Sequence, residues 1–333
     1  MTVTLKHVAE RAGVSRSAVS RCFTEGASIS GRTRAKVERA AAELGYSPNF
    51  LARSLTTRST RLIGLVSNNF RNPVFLQIFD LFTRGLQDRG LRPLLVNLSE
   101  ETDPARSVQM LRQYSVDGVI VASSTLPSGF ARAFRQAGMP VVHAFGRPAG
   151  TPEVHVVGID NIACGRMAAR TLIGRGYVRL GFLGGPQAAS TTQDRMAGFL
   201  AEATRHAGPG PVVRFADAYS FDAGRAAMQA DLAAATDTAA WFCGDDVLSL
   251  GAISALRDAG LSVPGDVGVI GLNDMEMAGW AGVALTTIHQ PFAEIIGASV
   301  DLVAAMLDDP ARLPESRIFP CRVVERGTLR APP

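Results

Sequence analysis

The feature that most restricts this chain is an alternation that begins at Leu62. Short apolar runs (Leu62–Val66, Pro93–Leu98, Gly118–Ala122, Val141–Ala144, Val154–Ile159, Leu180–Leu183, Val212–Phe215, Ala240–Cys243 and Val267–Leu272) are separated by longer stretches of helical pattern. Several of those stretches close on glycine signals, such as Asp88-Arg89-Gly90, Gln136-Ala137-Gly138, Gly174-Arg175-Gly176 and Asp258-Ala259-Gly260, because glycine supplies the positive φ that ends a helix. Strands divided each time by a helix pair in parallel, and a parallel sheet needs helices on both faces. The units form two series, before and after about Asp160-Asn161, with no close sequence repeat between them. The expected core is an α/β pair of Rossmann-like lobes with a cleft between them.

The residues before Leu62 have a different texture. Leu5–Ala12 carries Leu5, Val8, Ala9 and Ala12 on one helical face, and Arg16–Phe23 carries Ala18, Val19, Cys22 and Phe23. Gly13-Val14-Ser15 between them is a tight turn. A third helix starts after Ser30, points Val37, Ala40, Ala41 and Leu44 inward and stops at Gly45. The spacing of Ala9, Gly13 and Val19 is that of a helix-turn-helix, with a small residue where the helices cross. Residues 1–61 hold 11 Lys/Arg against 4 Asp/Glu, a balance of +7, while residues 62–333 hold 23 against 26, a balance of −3. A basic head on a near-neutral body suits a polyanion, a small protein-binding bundle being the alternative. Arg16, Ser17 and Arg21 fall on the outer face of the second helix, where arginine can pair with guanine edges. Pro48 permits a short helix over Asn49–Leu55, and Thr56–Thr60 reads as a linker.

Several function classes find no support. With 47% hydrophobic residues the chain can bury a large core. No apolar run approaches the ~20 residues of a membrane span, and the first residues lack a signal-peptide core, so no membrane partner and a cytoplasmic location are expected. Cys22, Cys164, Cys243 and Cys321 lack metal or disulfide spacing and are expected to be buried, reduced thiols. His7, His143, His155, His206 and His289 are isolated, there is no Gly-x-Ser-x-Gly elbow, and Gly184-Gly185-Pro186 lacks the glycine spacing of a phosphate cradle. Neither an enzyme nor a bound cofactor or metal is expected.

Val3-Thr4-Leu5-Lys6-His7-Val8-Ala9-Glu10-Arg11-Ala12-Gly13-Val14-Ser15, followed by Ala18-Val19-Ser20-Arg21, closely resembles the head of the lactose-repressor (LacI/GalR) family of bacterial transcription regulators. The resemblance continues through Leu44-Gly45-Tyr46, Pro48-Asn49, Ala52-Arg53-Ser54-Leu55, Asn72-Pro73, Gly158-Ile159-Asp160-Asn161, Asp194-Arg195-Met196-Ala197-Gly198-Phe199 and Leu285-Thr286-Thr287-Ile288. It covers essentially the whole chain. It implies an all-α helix-turn-helix head (1–47), a hinge helix and linker (48–61), and a periplasmic-binding-protein-like core (62–333). Lobe 1 would take about 62–160 plus 291–320, and lobe 2 about 161–290 plus the C-terminal end.

The resemblance further implies a repressor of a catabolic operon, acting as a homodimer on a pseudo-palindromic double-stranded operator. Ser15, Arg16, Ser17, Ser20 and Arg21 would contact DNA in the major groove. Asn49, Ala52, Arg53 and Leu55 would form a hinge that orders on DNA, with Leu55 wedged into a minor-groove step. So short a helix is unstable alone, and an apolar wedge can kink a flexible step. The absence of a heptad pattern after the last strand favours a dimer over a tetramer.

A small-molecule effector would lie in the cleft. The resemblance places there Val74, Phe75, Thr191, Arg195, Tyr219, Asp245, Asp246, Asn273, Gln290 and Phe292. Arg195 would clamp hydroxyls or a carboxylate; of the adjacent pair, Asp245 is the favoured ligand contact, and Asp246 could instead only cap its helix. Asn273 stands where many sugar-responsive members carry an aspartate, and Phe145 where some members carry another, which tilts the expected ligand from a plain sugar toward a sugar acid or sugar phosphate. The competing reading is a solute-binding protein of the periplasmic type with no regulatory role.

Overall fold

The computed structural model describes residues 3–24, 26–47, 59–98, 103–123, 125–126, 129–206 and 208–333. The chain divides into two units, residues 1–60 and 61–333.

In the first unit α1 (Leu5–Ala12), α2 (Arg16–Cys22) and α3 (Gly31–Leu44) form a small bundle. Gly13 caps α1 at φ 65°, and the Val14 N–H reaches the Ala9 carbonyl. Ser15 and Ser30 cap the next two helices by accepting from the N–H groups of Ala18 and Thr33. Val8, Val19 and Val37, one from each helix, are fully buried, with Ala9, Cys22, Ala40 and Ala41 around them. Arg34 on α3 donates to the carbonyl of Cys22 at the end of α2, and Arg11 on α1 pairs with Glu43 on α3. The expected hinge over Asn49–Leu55 lies outside the described residues.

The second unit holds two six-stranded sheets. The first contains β1 (Leu62–Ser67), β2 (Arg92–Asn97), β3 (Gly118–Ala122), β4 (Val141–Ala144), β5 (His155–Ile159) and β11 (Ser316–Phe319), in the order β11-β5-β4-β3-β1-β2, all parallel. The second contains β6 (Leu180–Gly184), β7 (Val212–Phe215), β8 (Ala240–Cys243), β9 (Gly268–Asn273), β10 (Thr286–His289) and β12 (Arg322–Val324), in the order β12-β10-β9-β8-β6-β7. Its edge strand β12 runs antiparallel to β10, so this sheet is mixed where the alternation predicted a parallel one.

Helices α4 (Val74–Asp88), α5 (Pro104–Gln113) and α6 (Phe130–Gln136) follow strands of the first lobe. Helices α7 (Asn161–Gly174), α8 (Ser190–Ala203), α9 (Phe221–Ala233) and α10 (Asp246–Asp258) belong to the second. Helix α11 (Phe292–Asp308) returns to lobe 1 and buries Val300 and Val303 there. The chain thus passes between the lobes three times, after β5, after β10 and between β11 and β12.

Helices α7 and α8 approach until only glycine fits at the crossing. A Cβ at Gly165 would lie 2.1 Å from the Arg195 carbonyl oxygen, and one at Gly198 would lie 2.0 Å from that of Ile162. This contact fixes the backbone from which Arg195 projects. Cys22, Cys164 and Cys243 are buried, but Cys321 is only half-buried, because it lies in the segment crossing between β11 and β12 rather than on a packed element. Among the described residues no helix is long and apolar enough to cross a membrane.

Candidate functional site

On the head, Ser15, Arg16, Ser17, Ser20 and Arg21 are all exposed along α2. Neither Arg16 nor Arg21 is taken by a carboxylate among the described residues, so both forks are open to an outside acceptor. The Ser15 hydroxyl is already committed, accepting from the Ala18 N–H at 3.2 Å and lying 2.9 Å from the Ser17 hydroxyl. Asn49, Ala52, Arg53 and Leu55 lie outside the described residues.

In the core, the loops at the carboxyl ends of the strands meet in a cleft between the lobes, the usual ligand position in open parallel sheets. Nine of the ten residues expected there line it: Val74, Phe75, Thr191, Arg195, Tyr219, Asp245, Asn273, Gln290 and Phe292. As the side chains stand, the space between them is about 50 Å³.

Arg195 is buried on α8. Its Nε donates to Asn161 Oδ1 at 2.8 Å and its Nη1 to the Gly244 carbonyl, so two bonds aim the guanidinium. Asp245 caps α10, its Oδ1 accepting from the Val247 N–H. Its Oδ2 accepts from the amides of Asn273, at 2.9 Å, and Asn72, at 3.0 Å. Asn72 follows β1 and Asp245 follows β8, so that second bond joins the two lobes. Burial pushes the Asp245 carboxyl up to about 6, against the pull of the Val247 N–H and the Arg195 charge. Arg147 of lobe 1 adds a second tie at the rim, gripping both oxygens of Asp194 at 2.8 Å.

Aromatic side chains shape the remaining walls. The Tyr219 hydroxyl lies 3.0 Å from Thr191 Oγ1 and 2.7 Å from Thr192 Oγ1. A Cβ at Gly185 would come within 2.4 Å of the Tyr219 ring. The glycine after β6 therefore makes room for a cleft aromatic rather than for a phosphate. Phe145 meets Phe292 edge to face, with centroids 6.0 Å apart.

Asp246 does not line the cleft. Its Oδ1 accepts from the Thr287 hydroxyl and its Oδ2 from the Met275 N–H, which turns it into the interior between β9 and β10. Burial raises it to about 7, with Asp245 and Asp274 adding repulsion. The capping role allowed for Asp246 belongs to Asp245 instead, since the N-cap residue sits one position before the helix.

Phe145, expected at a cleft position that is an aspartate in some members, lines the cleft, and Asn69, Asn72, Ile78, Ile159 and Asn161 line it without having been expected there. Ile78 follows Val74 by one helical turn, so periodicity could have found it. Asn161 opens α7 directly after β5, where the strand-end rule points. Asn69 follows the end of β1 in the same way.

Comparison with known proteins adds family matches, a curated relative and two solved structures. Residues 4–49 match the family described as "Bacterial regulatory proteins, lacI family", and residues 169–329 match the "Periplasmic binding protein-like domain". The HTH-type transcriptional regulator CelR of Thermobifida fusca is 36% identical over 325 residues, covering 93% of this chain and 94% of that protein. Among solved structures, the lac repressor dimer bound to operator and the anti-inducer ONPF aligns with TM-score 0.89 at 27% identity, covering 99% of this chain and 100% of that one. A transcriptional regulator CelR–cellobiose complex aligns with TM-score 0.73 at 30% identity, covering 98% of this chain and 99% of that one.

Proposed function

The chain belongs to the lacI family of bacterial regulatory proteins, and from that premise we propose that it represses a catabolic operon in response to an uncharged, hydroxyl-rich effector. The observation that carries the reading is one chain joining an exposed arginine–serine helix face to a cleft of polar groups and aromatic rings. A solute-binding protein has no use for the first feature. Its relatives are transcriptional regulators, not enzymes. Acting on DNA, it works in the cytoplasm.

Charge balance selects the effector class. Arg195 shares the cleft with Asp245, so an acid would set a second anion beside a buried carboxylate. A sugar avoids this. Its hydroxyls accept from Arg195 and from the amides of Asn72, Asn273 and Gln290, and donate to Asp245, while Phe75, Tyr219 and Phe292 cover its apolar faces. The tilt toward an acid rested on the positions of Asn273 and Phe145 and gives way, because the carboxylate is supplied by Asp245. A sugar needs more room than the cleft now offers, so it enters as the lobes part and exchanges its own bonds for the Asn72–Asp245 one. Occupancy is thereby tied to the lobe angle.

Each protomer of a homodimer offers one recognition helix, so the operator is pseudo-palindromic. Arg16, Ser17, Ser20 and Arg21 read base edges, while Ser15 serves as the cap. Asn49, Ala52, Arg53 and Leu55 form the hinge. Replacing Arg16 or Arg21 by alanine costs about 1–3 kcal/mol and relaxes one base pair per half-site.

The test is a thermal-shift series on the full chain with cellobiose, glucose, gluconate and glucose 6-phosphate, followed by operator binding with each ligand that shifts the transition. Neutral sugars raise the transition and Arg195→Ala abolishes the rise. Stabilisation by gluconate or the phosphate alone, with none by a neutral sugar, overturns the effector assignment.

A further inference from the structure

A second pocket, of about 230 Å³, lies at the opposite end of the lobe 1 sheet from the cleft. It forms where β4 and β5 begin and α11 ends, among Arg135, Met139, Val141, His155, Met306 and Arg312. Two of these are cations, and none of the residues lining it is an acid.

His155 is its unusual member. The residue is 1% exposed. Its Nδ1 accepts from the Glu315 N–H at 3.3 Å, which puts the proton of the neutral ring on Nε2. Among the described residues that Nε2 is buried and has no hydrogen-bond partner. Buried donors are almost always satisfied, so an unpaired one points to an acceptor that is not part of the chain.

The surrounding charges favour an anion. Arg132 pairs with the Glu153 carboxylate, while Arg312 and Arg317 share one oxygen of Glu315. Among the described residues Arg135 meets only the Glu153 backbone carbonyl. Four guanidinium groups therefore face two carboxylates. Burial, joined by the charges of Arg312, Arg317 and Arg135 against Glu315, lowers the His155 imidazole and keeps it neutral.

We propose that this pocket binds a phosphoryl oxyanion, held by the forks of Arg135 and Arg312 and by the Nε2–H of His155. Arginine forks match tetrahedral oxyanions with paired, charge-assisted bonds, and the imidazole N–H adds a neutral donor from below. The site lies outside the cleft, so it is independent of the effector reading. The oxyanion is either free inorganic phosphate or the head of a phosphomonoester.

The test is calorimetry and thermal shift on the full chain, prepared without phosphate and titrated with sodium phosphate or glycerol 3-phosphate against sodium chloride of equal ionic strength. Saturable binding is expected, weakened at least about tenfold in Arg135→Gln and in Arg312→Gln. Both arginines reach the protein surface, and unchanged thermal transitions in salt alone will show that the variants fold. The ¹⁵N resonance of the His155 Nε2 shifts on titration of the wild type. Tighter binding of glycerol 3-phosphate identifies a phosphomonoester as the ligand, and tighter binding of phosphate identifies the free ion. A response equal to that of chloride, or one removed by Arg195→Gln instead of Arg135→Gln, overturns the proposal.

Discussion

Asp246→Asn isolates the cost of a buried charge behind the cleft. Asparagine has the shape of protonated aspartate. Its oxygen can accept from the Met275 N–H and its amide can donate to Thr287 Oγ1, the two partners that Asp246 has now. Burial raises the Asp246 carboxyl from 3.8 to about 7. Between those values the folded chain keeps a proton that the unfolded chain has lost, so this group's contribution is complete below 3.8 and declines as pH rises through about 7. A span of about three units at 1.36 kcal/mol each gives about 4 kcal/mol as the ceiling. At pH 8 the variant should therefore be about 2–4 kcal/mol more stable than the wild type, and at pH 4 nearly equal to it. His143 and His155 are lowered by burial and act in the opposite sense, favouring the fold as pH rises. They act equally in both proteins and cancel in the difference. Urea unfolding at one protein concentration, followed by the fluorescence of buried Trp241, supplies that difference at each pH. A difference that stays flat from pH 4 to 8, or a variant less stable at pH 8, refutes the reasoning.

Three further outcomes follow from packing and charge. Gly198→Ala drives a methyl into the Ile162 carbonyl, a backbone atom that cannot turn aside; parting α7 from α8 should cost about 3 kcal/mol or more, read as a lower core transition. Val19→Ala empties the centre of the head, where Val19 is 0% exposed; it should cost about 2 kcal/mol and abolish operator binding while the core transition stays in place. Arg147→Ala removes the rim tie to Asp194, in which the arginine is 49% exposed; the loss should stay under about 1 kcal/mol and vanish in concentrated salt.

The head and the strand–helix alternation were legible because they rest on strong local signals. The Ser30 cap, the αL glycines at Gly13 and Gly45 and the one-per-helix valines can each be read from a few neighbouring residues. Strands β10, β11 and β12 were not legible. Thr286-Thr287-Ile288-His289 has too few apolar residues to stand out, yet Thr286, Thr287 and Ile288 are buried because both faces of that strand are covered. The two edge strands are short and half-exposed, and what makes them strands is pairing with distant partners. The cleft was legible through the family resemblance, residue by residue, but not in its bonding. The resemblance favoured Asp245 over Asp246 as the ligand contact, but the bonds each makes, Asp245 with Asn72 and Asn273 and Asp246 with Met275 and Thr287, depend on the turn into α10. That the His155 Nε2 has no partner among the described residues likewise follows from Glu315, far along the chain, occupying its other nitrogen.

The strand exchange at the end of the core bears on how the molecule is made. Ser316–Phe319 completes one sheet by pairing with β5, and Arg322–Val324 completes the other by pairing with β10. On a ribosome, all of β6 to β10 emerges before the first lobe receives its last helix and its edge strand. Until then the rim of β5 and the apolar face that α11 will cover, including the close seat of Val303 against Gly118, stay open to water and to other nascent chains. Neither lobe can finish ahead of its neighbour, so the pair should mature together and late, with a long window of dependence on chaperones. A premature stop codon after β10 would leave two unfinished sheets rather than one sound lobe and one missing.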